Sequence, residues 1–231
     1  MLNQLIKDIK KLTNPSKAKI LQGFFKTAPG QYGTDDIFLG LTVPQQRSIA
    51  KNYTTLKLTA LQKLLNNKIH EYRLISLLIL VEQYQRANLA TRKKIYNFYL
   101  KNARQVNNWD LVDLTAPKIV GNYLLNKNKA ILYKLAKSKN LWEKRIAIIA
   151  TFEFIRNNQF IPTLKISKML LSDQHDLIHK AVGWMLRELG KRDQKLLEKF
   201  LTQHLRQLPR TTLRYAIEKF PEKQRLAYLK K

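Results

Sequence analysis

NWDLVDLTA, residues 108–116, spaces its apolar positions as a helix does, and it puts Trp109 and Asp113 four residues apart. At that spacing the two side chains share one helical face, one turn above the other. The same pattern returns along the chain as EYRLISLLI from Glu71, EKRIAIIAT from Glu143, IHKAVGWML from Ile178 and TLRYAIEKF from Thr212. The third residues of the five stretches are Arg73, Asp110, Arg145, Lys180 and Arg214, in steps of 37, 35, 35 and 34. A period in this range over four intervals is the mark of paired helices stacked as repeats, whereas a plain bundle has no cause to keep one. The expected fold is all-α, an α-solenoid forming a single domain over residues 1–231.

The surrounding sequence agrees. Residues 2–12 read as a helix, and Asn14-Pro15 opens another, with Asn as cap and Pro in the first turn. Residues 27–36, with Pro29, Gly30 and Gly33, read as the one long loop, and Pro44 begins a further helix that carries Arg47. No stretch alternates in the manner of a strand.

Composition narrows the partners. Lys and Arg number 43 against 16 Asp and Glu, a formal net charge of +27. Such an excess opposes compaction unless it is used, and its usual use is phosphate binding. The basic residues are spread through the whole chain and are not gathered on one amphipathic segment, which favours nucleic acid over a membrane surface. There is no Cys, so disulfides, thiolate metal sites and cysteine nucleophiles are excluded. No signal peptide or membrane span is read, and a cytoplasmic, monomeric protein is expected. His175 and His179 sit at the spacing of a zinc-binding helix, with Asp176 where Glu is expected. A third ligand is not evident, and neither a metal nor a small-molecule cofactor is expected.

Within the repeat frame, taking the third residue as zero, Trp109 lies at −1, Asp113 at +3, Arg145 at zero and Trp184 at +4. These positions fall on one stripe of a helix. Equivalent helices of a solenoid lie side by side, so two Trp, one Asp and one Arg are expected on one surface. Lys180 is the zero position of the fourth stretch, and Arg187, at +7, extends that surface by a turn. From the residues alone two readings stay open. Asp113 and Arg145 fit a salt bridge between repeats as well as a reaction centre, and a Trp at helical spacing is usually core, as expected for Trp142.

At this point the sequence resembles the DNA alkylation repair enzymes built from HEAT-like repeats, which are alkylpurine DNA glycosylases. The resemblance rests on YGTDDIFLGLTVPQQR, NNWDLVD, LWEKRIAI, HKAVGWMLRELGK and PRTTLRYAIEKF in that order, and it covers most of the chain. It implies a concave basic face that holds duplex DNA containing alkylated bases, and hydrolysis of the N-glycosidic bond of cationic N3- or N7-alkylated purines. It places the catalytic carboxylate on Asp113, its aromatic partners on Trp109 and Trp184, and the phosphate-holding arginine on Arg145. Lys180 and Arg187 join Arg145 as expected DNA contacts. Asn108 stands where some relatives have an aromatic, a change expected to tune how DNA seats. A binding-only solenoid that recognises damaged or distorted DNA is the alternative; it has no use for a carboxylate facing phosphates.

These residue types suit that chemistry. An alkylated purine that is already cationic leaves without a strong acid. The sugar then becomes oxocarbenium-like, and a carboxylate beside it stabilises the charge and orients water. Indole faces pack on cations, for about 0.5–2 kcal/mol each.

Overall fold

The computed structural model describes residues 1–230, and their regular structure is helical. The chain forms two compact units, Met1–Thr115 and Ala116–Lys231. The first holds α1 (Leu2–Lys11), α2 (Pro15–Phe24), α3 (Val43–Asn52), α4 (Leu58–Leu65), α5 (His70–Arg86), α6 (Leu89–Lys101) and nearly all of α7 (Trp109–Ala116). The second opens with a π-helical turn, Pro117–Gly121, and continues as α8 (Asn122–Leu124), α9 (Ala130–Ala136), α10 (Leu141–Arg156), α11 (Ile161–Met169), α12 (Asp176–Gly190), α13 (Gln194–His204), α14 (Arg210–Ala216) and α15 (Glu222–Lys230). Three of the five aligned stretches lie within α5, α10 and α12, while NWDLVDLTA begins one residue before α7 and TLRYAIEKF runs four residues past the end of α14. Among the described residues the sole β pairing is an isolated parallel bridge between Ile37 and Ile69. No helix among them is long and apolar enough to cross a membrane.

The helix starts follow local chemistry. Asn14 Oδ1 accepts the amide of Lys17 at 2.9 Å, and Pro15 fills the first position of α2. Thr42 and Gln45 close a capping box at α3. Asn140 Oδ1 takes two amides at the start of α10, and the His175 ring accepts the amide of Leu177 at the start of α12. His175 is therefore a helix cap, while His179 lies against the carbonyl of Asp173. Pro117 brings no N–H to the helical ladder, and the chain changes to π spacing there.

In the first unit α5 is the centre: residues 70–81 are all buried, with α3, α4 and α6 packed around them. A helix apolar on every side belongs in a core. One of the polar exceptions on α5, Glu71, ties down the segment that leads into α3. Glu71, fully buried, accepts the amides of Leu39, Gly40 and Leu41 at 2.8–3.3 Å. Gly40 is required at that crossing, because its φ is +89° and a Cβ there would lie 2.1 Å from the carbonyl oxygen of Asn14. In the second unit the aligned helices pack in series, α10 on α12 and α12 on α14, with α9, α11 and α13 against them. That ordering is the solenoid arrangement that the period implies.

Candidate active site

α7 presents Trp109 and Asp113, both half-buried. The Trp109 ring stacks on Phe25, with centroids 5.1 Å apart and planes 15° from parallel, and meets Phe24 edge-on at 5.8 Å. Phe24 is 61% exposed, a large ring left at the surface beside Trp109. Behind Asp113 sits Tyr99, fully buried, whose hydroxyl pairs with Thr115 at 3.0 Å. Burial pushes the Tyr99 phenol up; the Thr115 hydrogen bond opposes that and the nearby charge of Asp113 adds to it.

Beneath the first turn of α7 lies a buried polar cluster that sequence reasoning missed. His70 Nε2 is 2.8 Å from Asp110 Oδ2, and its Nδ1 is 3.4 Å from Asp36 Oδ2. Arg73 donates to Asp36 Oδ1 at 2.7 Å, and Asn108 donates to Asp36 Oδ2 at 3.1 Å. The imidazole packs against Phe38, stacked at 4.6 Å, and Phe25, tilted at 4.9 Å, and those two rings also stack on each other. Burial alone would push His70 down. The charge and hydrogen bond of Asp110, with the hydrogen bond of Asp36, outweigh burial and the Arg73 charge and raise it to about 9. Asp36 is held below its ordinary value, because hydrogen bonding from His70 and the charge of Arg73 overcome the opposing effect of burial. Asn108, expected to tune DNA seating, is fully buried; its side chain serves this cluster and the amide of Trp109. The clue available in sequence was a histidine opening α5 in a chain with few acids, two of which, Asp110 and Asp36, lie within NWDLVD and at the end of the loop. Nothing in the sequence said that they meet.

The remaining candidates belong to the second unit. Trp184 on α12 is half-buried, with its ring 5.9 Å from Phe152 of α10 and its indole N–H donating to Glu188 at 3.2 Å. Arg187 pairs with Glu218 and Glu188. Lys180 pairs with Asp176 at 2.7 Å. Arg145 is only 5% exposed, and its guanidinium donates to the carbonyl of Leu177, joining α10 to the first turn of α12. Trp142 is buried, as its position among apolar neighbours implies. Among the described residues no group of three or more His, Cys, Asp or Glu is arranged to hold a metal ion.

The chain is all-helical among its described residues, and the serial packing of α10, α12 and α14 is consistent with an α-solenoid. The family model described as "DNA alkylation repair enzyme" matches residues 5–220, and the chain belongs to that family. In fold it is similar to a solved structure described as a predicted DNA alkylation repair enzyme from Enterococcus faecalis, with a TM-score of 0.69 at 17% identity, covering 91% of this chain and 97% of that one. No curated protein matches it in sequence. Family membership supports a role in DNA repair.

Proposed function

We propose that the protein is a monofunctional DNA glycosylase that releases cationic N3- or N7-alkylated purines from duplex DNA, on a fold of HEAT-like repeats with a concave basic face. The observation that carries this reading is the pairing on α7: a half-exposed indole held flat by Phe25, with a half-exposed carboxylate one turn further on. In a chain of net charge +27, where acids are few, a half-buried carboxylate on the same helical face as an indole suits the cationic sugar that forms as an alkylated purine leaves.

The chemistry balances without a cofactor. The N-glycosidic bond breaks with its electron pair going to the cationic purine, which leaves neutral. Positive charge develops on C1′ and its ring oxygen, and Asp113 stabilises it. Water adds at C1′, oriented by the same carboxylate, and its proton passes to solvent. Trp109 packs on the cationic nucleotide through its ring face, and Trp184, in the second unit, is a further aromatic offered to the DNA. Lys180 and Arg187 exchange their carboxylate partners for phosphates, and Arg145 joins them as a backbone contact. A duplex with lesions is the substrate, and the protein acts as a monomer in the cytoplasm.

The test is release of free 7-methylguanine or 3-methyladenine from methylated duplex DNA, wild type against Asp113→Asn. Asn keeps the shape and removes the charge, so the lost rate reports the electrostatic effect, about 10²–10³-fold for one well-placed group. Duplex affinity and thermal stability are expected to hold. Equal excision by the two proteins would falsify the role of Asp113. Tight binding by a wild type that releases no base would favour the binding-only alternative.

A further inference from the structure

The cluster under α7 has a charge requirement that the reaction itself does not use. Each ring nitrogen of His70 faces a carboxylate oxygen, Asp110 on one side and Asp36 on the other. Carboxylates only accept hydrogen bonds, and a neutral imidazole has one N–H to give. Both contacts are satisfied only by the doubly protonated ring. Charge balance leads to the same state: Asp36 and Asp110 are buried with Arg73 as the other cation, so a neutral His70 would leave one buried negative charge uncompensated. The groups facing the ring are Asp36 from the loop, Asp110 from α7 and Arg73 from its own helix. Glu71, next along α5, is turned to the amides of residues 39–41.

This cation is tied to Trp109 by three routes. Asp110, immediately after Trp109, is held by His70 Nε2 and also accepts the amide of Leu111. Asn108, immediately before it, is held by Asp36 and accepts the amide of Trp109 itself. The Phe25 ring, on which the indole stacks, packs against the imidazole. The backbone is therefore pinned on both sides of Trp109, and its ring rests on a platform that His70 supports.

We propose that His70 is a positioning residue: as an imidazolium clamped between Asp36 and Asp110 it sets the first turn of α7, and with it the Trp109 ring and the Asp113 carboxylate one turn on. The inference rests on the glycosylase reading for the reaction that is positioned, while the placement of α7 is measurable without turnover. A displacement of about 1 Å in a catalytic group costs on the order of 10²-fold in rate.

Single-turnover excision from methylated duplex DNA by His70→Gln should fall about 10- to 100-fold, with affinity for undamaged duplex within about threefold of wild type. The pH profile separates positioning from a merely structural role. Wild-type excision should hold through neutrality and decline as pH rises through about 9. In Asp110→Asn, which keeps the shape and removes the stronger carboxylate contact, that decline should move toward neutral pH, and in His70→Gln it should vanish. In parallel, the indole N–H resonance of Trp109, identified by its loss in Trp109→Phe, is followed in the free wild-type protein. It should titrate with the same midpoint, and this measurement stands even if a cluster variant does not fold. A Trp109 resonance that does not move near that pH, or a decline left in place in Asp110→Asn, overturns the proposal. Absence of base release by wild type would instead overturn the glycosylase reading, with the resonance still deciding what His70 holds.

Discussion

A proton on His70 also stabilises the fold, and the sign of its effect follows from the direction of the shift. The ordinary value of 6.5 rises to about 9 in the folded protein, so the folded state binds the proton more tightly than the unfolded chain does. The stabilisation is fully present below pH 6.5 and is lost as pH rises through 9. A shift of this size corresponds to about 3 kcal/mol as an order of magnitude. Denaturant unfolding of wild type and His70→Gln should show a large stability gap at pH 6 that shrinks by about that amount at pH 9.5. A gap independent of pH would mean that the ring is neutral when folded, with one of its two carboxylate contacts unsatisfied. At this scale the sequence was readable only in part. Trp109 and Asp113 could be paired because helical geometry relates residues four apart. His70 and Asp110 are 40 residues apart, and Phe25 and Trp109 further still. Such meetings are set by how the loop folds over α5, which no local spacing encodes.

Among the elements, α12 and α14 come close together at Gly183, and this sets up a test with an inverted sign. In an exposed helix interior, Gly→Ala gains about 1 kcal/mol from helix propensity. At position 183 the added Cβ would stand 2.5 Å from Tyr215 Cβ and 2.7 Å from the carbonyl oxygen of Thr212. Neither neighbour is the free end of a flexible side chain, so the two helices must separate. Overpacking of this kind costs about 1–3 kcal/mol and offsets the propensity gain. Gly183→Ala should therefore melt earlier than wild type; an equal or higher melting temperature would show that the helices shift apart at no cost. The helices themselves were legible from sequence, since each of the five aligned stretches, with its recurring apolar positions, meets a helix, although α14 stops at Ala216 before the last stretch ends. The division into two compact units was not, because the period of 34–37 residues runs through Thr115 without a break. The π-helical turn was equally hidden: Pro117 announces an interruption, but not that the chain continues helically past it.

For the molecule as a whole, charge governs two responses to salt that run in opposite directions. If every one of the 16 acidic residues were paired with a base, 43 − 16 = 27 cations would still be uncompensated. In the free protein those cations repel one another, and screening that repulsion stabilises the fold. On DNA the same cations displace condensed counterions, so added salt weakens the complex. With about six to ten phosphates contacted, duplex affinity should fall roughly 10³–10⁵-fold between 50 and 200 mM salt. Over the same range the melting temperature of the free protein should rise. Lys180→Ala and Arg187→Ala should weaken binding to damaged and undamaged duplex alike, each reducing the salt slope by up to about one counterion. The reduction should be smaller where the freed carboxylate partner, Asp176 or Glu218, had already offset part of the cation's charge. Both quantities come from titrations in one buffer series: fluorescence anisotropy of a labelled duplex, and thermal unfolding without DNA. Affinity that hardly responds to salt would argue against a surface that tracks the phosphate backbone. A melting temperature that falls with salt would show that attractive ion pairs, such as Arg73 with Asp36, outweigh the repulsion across the chain.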